Sequence, residues 1–175
     1  MNQSKRLRIA HIIVGLNLGG AERSLYKLLC LSDINNFSHS VLSLLPPGPL
    51  YEQVRKLGVE TSCLGFARSF PNPLIMTGIM TFLRRVDPDI VQTWMYHSNL
   101  AGGIVSRIAT RKPVVWNIRH GILSPGTASW LSRLVVRVGA KFSWIVPERV
   151  VTNSYFSKKH HMSIGYCPEQ MVVIP

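Results

Sequence analysis

Six short runs of β-branched and apolar residues alternate with six stretches of helical character along this 175-residue chain. The strands are read at about Arg8–Val14, Ser40–Leu45, Glu60–Leu64, Ile90–Thr93, Val114–Ile118 and Arg149–Asn153. The helices between and after them are read at Ala21–Leu31, Leu50–Leu57, Leu74–Arg85, Ser98–Ala109, Thr127–Phe142 and Phe156–Ser163. Helices alternating with near-continuous apolar strands predict βαβ units and a parallel sheet buried on both faces. Local breakers agree. Pro46-Pro47-Gly48-Pro49 ends the second strand, and Gly58 follows Lys56-Leu57 as a helix-terminating glycine. Asp87-Pro88 and Lys112-Pro113 stop helices before strands four and five. The expected architecture is one α/β, three-layer Rossmann-like domain over residues 1–175, strand order 3-2-1-4-5-6. A last apolar run, Met171–Ile174, is free to pair at a sheet edge.

The first strand empties into Gly15-Leu16-Asn17-Leu18-Gly19-Gly20, and a helix starts at Ala21-Glu22. A strand, a glycine turn and a helix N-terminus let backbone N–H groups approach a phosphate, and the helix end favours negative charge. The spacing is not G-x-G-x-x-G, and the second strand has no acid to hold a ribose, which disfavours a nicotinamide site. Ala21-Glu22 stands where a P-loop needs Lys-Ser/Thr. From spacing alone, the glycines are equally readable as a tight turn that packs helix on strand.

Charge bounds the partners. The net charge is +12, and it is uneven. Residues 1–100 hold ten Lys and Arg against six Asp and Glu, and residues 101–175 hold ten against two. Such a surface suits anionic partners. Arg133, Arg137 and Lys141 recur every four residues and form a basic stripe beside Leu131, Leu134, Val135, Val138, Phe142 and Ile145. The stripe reads either as a solvated helix face or as an interfacial patch for anionic lipid. No nucleic-acid module is recognisable, so nucleic acid is not an expected partner. Three dispersed cysteines, Cys30, Cys63 and Cys167, match no metal spacing and suit a reducing compartment. His160-His161 are adjacent rather than one helical turn apart, a poor metal pair. No run of about 18 apolar residues is present to span a bilayer. The expectation is a cytoplasmic protein, with peripheral contact at a membrane face through the stripe.

The ordered motifs resemble the N-terminal domain of GT-B retaining glycosyltransferases of family GT4, or group 1. They are Gly19-Gly20-Ala21-Glu22, Asp87-Pro88-Asp89 through Trp94-Met95-Tyr96-His97, Ala101-Gly102-Gly103, Asn117-Ile118-Arg119-His120-Gly121, Val150–Ser154 with Phe156–Lys159, and Met171–Pro175. The resemblance implies an acceptor-binding half of an enzyme that moves a sugar from a nucleotide-sugar to an acceptor hydroxyl with retention. Polysaccharide, lipopolysaccharide or glycolipid synthesis is the implied setting. The nucleotide-sugar would be substrate rather than cofactor, and no metal is expected. The family's donor domain, with its paired glutamates, has no counterpart in this chain, so the chain alone is expected to turn over little or nothing.

By resemblance, Gly19 and Gly20 approach the donor diphosphate. Glu22 borders it or simply complements the helix dipole. His120 contacts the transferred sugar or shuttles a proton as the catalytic candidate. Gly121 stands where relatives carry Asp. Arg119 contacts phosphate or acceptor. His97 and Asn99 edge the acceptor side, with Ser98 or Asn99 equally readable as a helix cap. Trp94, Met95 and Tyr96 are read as packing, and Asn153 and Ser154 as capping the last helix. The alternative from another class is a non-catalytic basic module that docks on a membrane or a partner.

Overall fold

The computed structural model describes residues 6–66, 73–119 and 130–175. The chain runs β1 (Leu7–Ile13), α1 (Gly20–Leu31), β2 (Phe37–Ser43), α2 (Tyr51–Lys56), β3 (Glu60–Cys63), α3 (Pro73–Val86) and β4 (Ile90–Trp94). It continues through α4 (Tyr96–Thr110), β5 (Val114–Ile118), α5 (Trp130–Phe142), β6 (Arg149–Thr152), α6 (Tyr155–Ile164), a 3₁₀ turn at Pro168–Gln170 and β7 (Met171–Val173). The strands form one sheet in the order β3-β2-β1-β4-β5-β6-β7. Every pairing is parallel. The expected order therefore holds, and the last apolar run extends the sheet beside β6.

Alternation of side chains sorts the core into two layers. On one face, Ile13, Val41 and Trp94 pack with Leu25 and Leu29 of α1 and Val54 of α2. On the other, Ala10, Ile12, Leu42 and Val91 pack under α3, and Trp116, Ile118 and Val150 under α4 and α5. Glycine lets α4 lie close to the sheet. A Cβ on Gly103 would overlap Trp116 Nε1, and one on Gly102 would press on Ile12 and Thr93. Gly58 takes the left-handed conformation after α2 that the sequence calls for, at φ +78°.

Two fully described elements differ from expectation by more than one residue. β2 begins at Phe37 and ends at Ser43. The helix α4 starts at Tyr96, so Ser98 and Asn99 lie inside its first turn and cap nothing. The N-cap position is Met95, whose backbone supplies no side-chain cap. At the last helix, Ser154 is the cap: its hydroxyl accepts the Ser157 N–H at 3.1 Å, and Asn153 takes no part. The expected start of the fifth helix at Thr127 lies outside the described residues.

The amino-terminal edge of the sheet is closed by charge. Asp89 accepts hydrogen bonds from the Arg8 backbone N–H and from its Nε and Nη2, at 2.9, 3.2 and 3.1 Å. Asp87 takes Arg8 Nη1 at 2.9 Å. The Asp-Pro-Asp segment thus clamps the start of β1 to that of β4. No described helix is long and apolar enough to cross a membrane. Cys30, Cys63 and Cys167 are free thiols, the first exposed and the last buried.

Candidate functional site

The sheet changes direction of growth between β1 and β4, and the crevice beyond the carboxyl ends of strands at such a switch point is where parallel sheets bind ligands. Ile13, Trp94 and Asn117 are register partners on three adjacent strands. Their ends span about 10 Å at the usual strand spacing of about 4.8 Å. Three chain segments leave this edge: the glycine loop, the Met95 turn, and Arg119.

The glycine loop is anchored at its base. Leu16 is fully buried and its carbonyl accepts the Leu50 N–H at 2.9 Å. Its tip, Asn17 to Gly20, is exposed. Gly19 is the N-cap of α1, and no side chain caps the helix. A Cβ on Gly19 would overlap the Glu22 carboxylate, so that side chain is folded back over the helix start. A carboxylate is thereby placed where the helix dipole favours an anion. A Cβ on Gly20 would meet nothing within 4 Å. Among the described residues nothing crowds that position.

The Met95 turn is strained. Met95 holds φ 71° and ψ 162°, a conformation that side chains other than glycine avoid, while its N–H donates to Asn117 O at 2.9 Å. The strain redirects the chain from β4 into α4 in one residue. Trp94 and Tyr96 on either side are buried, as expected of packing residues. Asn99 is buried as well, and its amide is engaged internally. Its Oδ1 accepts Thr93 Oγ1–H at 2.8 Å, and its Nδ2 donates to Asn117 O at 3.2 Å. Ser98 Oγ–H bonds back to Trp94 O at 2.6 Å. These two residues lock the turn from inside. His97 is half-buried on the first turn of α4, and burial lowers its pKa.

At the end of β5, two buried donors have no partner among the described residues: Asn117 Nδ2 and Arg119 Nε. Asn117 is 1% exposed. The alternation of a strand puts both on the α1 side of the sheet. The Arg119 guanidinium lies 5.8 Å from the centre of the Trp94 ring, and burial lowers its pKa. An uncapped helix start, an unpaired amide N–H and an unpaired guanidinium N–H meet at one edge. All are donors, and together they suit an oxyanion or a polyol. His120 and Gly121 lie outside the described residues.

Residues 18–175 match the family model of Glycosyltransferase Family 4. The chain belongs to that family. Among curated proteins none matches. Among solved structures, the chain is similar to Anabaena Alr3699/HepE in complex with UDP, at 19% identity and a TM-score of 0.75. The match covers 96% of this chain and 43% of that one. A glycosyltransferase from Rickettsia africae matches at 17% identity and a TM-score of 0.68, covering 98% and 43%. The lipopolysaccharide outer core galactosyltransferase WaaB matches at 14% and 0.63, covering 95% and 45%. At these identities the likeness establishes the fold: the chain corresponds to the N-terminal half of the GT-B architecture and spans less than half the length of those structures.

The structure brings Gly19, Gly20, Glu22 and Arg119 to one edge of the family 4 fold, with His97 on the adjoining turn. It takes Asn99 into the interior. Arg133, Arg137 and Lys141 are exposed on α5, in the helical layer on the opposite face from α1. Sequence reasoning missed Asn117 and the strain at Met95. Asn117 carried a signal, an amide inside the apolar run Val114–Ile118. Met95 carried none, because its strain arises from the geometry of the turn.

Proposed function

We propose that this chain forms the acceptor-side wall of a glycosyltransferase that moves a sugar from a nucleotide-sugar to an acceptor hydroxyl with retention, in polysaccharide, lipopolysaccharide or glycolipid synthesis. The observation that carries the reading is the set of unsatisfied donors at the carboxyl ends of β1 and β5, within a family 4 fold. The UDP complex of the Anabaena neighbour supports a uridine nucleotide as the donor's handle.

In this reading the leaving diphosphate meets the Gly19 and Gly20 N–H groups and the start of α1, which stabilise its growing charge. Glu22 occupies that place beforehand and swings away when a diphosphate enters, since two anions repel there. Arg119 holds a phosphate or an acceptor oxygen, with Asn117 Nδ2 beside it. His97 borders the acceptor, and His120 keeps the role of sugar contact or proton shuttle. The nucleotide-sugar is substrate, and the proposal needs no metal.

The rest of the donor site lies on a second half, so the 175-residue chain alone transfers no measurable sugar. Saturation-transfer NMR with UDP-glucose tests the wall directly. Signal transfer to the nucleotide that drops severalfold in Arg119→Ala is expected. Equal signal in both proteins, or turnover by the chain alone, would overturn it.

We infer in addition that α5 rests on an anionic lipid surface. Arg133, Arg137 and Lys141 are exposed on α5, flanked by Trp130 (71% exposed) at its start and by Trp144 (54%) and Ile145 (67%) just past its end. Cations along a helix with exposed aromatic rings at both of its ends suit the headgroup layer. Flotation with liposomes containing phosphatidylglycerol should carry the protein up, and neutral liposomes should not. Equal recovery from both would remove the inference.

A further inference from the structure

A row of polar rings crosses the sheet beneath α1. His39 on β2, His11 on β1 and Trp94 on β4 follow one another, and Arg119 lies over the indole. His11 is fully buried. The Trp94 Nε1–H donates to His11 Nδ1 at 3.3 Å. An indole nitrogen only donates, so Nδ1 carries no proton and a neutral His11 keeps its proton on Nε2. That N–H points at His39 Nδ1, 2.9 Å away. By the same logic His39 keeps its proton on Nε2, which lies 2.7 Å from Ser32 Oγ. The bonds run in one direction from indole to hydroxyl. The two imidazoles stack with centroids 5.2 Å apart.

We propose that His11 and His39 are positioning residues for Arg119: the one-way chain Trp94 to His11 to His39 to Ser32 fixes the indole face that carries the guanidinium, and it holds only while both imidazoles are neutral. The proposal rests on the reading of Arg119 as a contact to donor phosphate or acceptor.

The chemistry of failure is specific. A proton from solvent reaches His39 first, because that ring is half-exposed beside a groove of about 330 Å³ lined by Leu28, Ser32 and Phe37. It binds Nδ1, and there it confronts the Nε2–H of His11. Two donors now face each other. His11 resolves the clash only by turning its ring or by moving its own proton to Nδ1, and either change deprives the Trp94 indole of its acceptor. Burial holds His39 below the ordinary imidazole range and His11 down to about 3, which keeps the row intact at neutral pH. The other groups facing it are few. Of the titratable groups on α1, Arg23, Lys27 and Cys30 are exposed, Glu22 and Tyr26 are partly buried, and neither ring's hydrogen bonds go to any of them; Gln92 of β4 lines the groove beside His39, and beyond β5 stands Arg119.

The test is imidazole and indole ¹⁵N NMR on the 175-residue chain, without ligand. At neutral pH both histidines should show a proton on Nε2 and a bare Nδ1. On acidification, the Trp94 indole N–H and the Arg119 Nε–H should shift with the midpoint of His39. In His39→Gln, whose side-chain oxygen still accepts from His11, both resonances should stay fixed over that range. A proton on Nδ1 of His11 at neutral pH overturns the proposal, and this readout needs no variant. So does a His39 titration that leaves Trp94 unmoved, or one that moves it equally in His39→Gln. Because no nucleotide is added, the row can fail while Arg119 still binds UDP-glucose, and the reverse.

Discussion

The two edges of the sheet are built on opposite rules. At the amino end charged groups are paired across elements: Arg8 is shared by Asp87 and Asp89, and Arg107 meets Glu148 at 3.0 Å. At the carboxyl end α1 has no side-chain cap, Met95 is strained, and Asn117 Nδ2 and Arg119 Nε are buried without partners. A protein tolerates unpaired buried donors where something else pairs them, since each costs about 1–3 kcal/mol when left unmet. The amino edge is therefore read as a fastening and the carboxyl edge as a receptor. Substitutions should separate stability from function along that line.

The largest effect is expected at Arg119. In a transferase assembled from both halves, Arg119→Ala should lower kcat/KM roughly 100-fold, the scale seen when one preorganised donor to a developing anion is lost. The urea midpoint of the chain should stay put. A large fall in stability instead would make Arg119 a fastening like Arg8.

Acid should weaken the carboxyl side from within. His11, His39 and His97 have pKa values below the unfolded value of about 6.5, so the unfolded chain takes up protons first. Stability is then lost as pH falls below about 6.5, most steeply through the fully buried His11, at roughly 1.4 kcal/mol per pH unit in its window. For His11, at about 3 in the folded state, unfolding free energy should drop by about 2 kcal/mol between pH 6.5 and 5. Urea unfolding at stepped pH checks the slope, and His11→Phe should flatten it.

Asp89→Ala removes the acceptor of three bonds at the amino edge. It should lower Tm by about 5 °C and leave UDP-glucose binding unchanged. Met95→Gly should do the reverse on a smaller scale. Relief of the positive φ should raise unfolding free energy by about 1 kcal/mol, and nucleotide contact should loosen because the turn no longer has one conformation.

The sheet was legible because β-branched runs and proline or glycine breakers agree along the chain. Val114–Ile118 shows this most simply, bounded by Lys112-Pro113 and matching β5 at both ends. The start of α4 was not legible. His97-Ser98-Asn99 looks like a cap, yet the Met95 turn starts the helix two residues earlier and pulls Ser98 and Asn99 inside. Of the site, the glycine loop and Arg119 were legible from residue type and position. The histidine row was hidden because His11 sits inside an apolar strand and its partner is 28 residues away. Only strand pairing brings the two together.

A receptor at the carboxyl edge must answer to nucleotide, and a fastening at the amino edge must not. Backbone amide and arginine Nε NMR of this chain, titrated with UDP-glucose, tests it most directly. Shifts should concentrate at Gly19, Gly20, Glu22 and Arg119, with Arg8, Asp87 and Asp89 unmoved. Shifts centred on the amino edge, or on α5 alone, would contradict it.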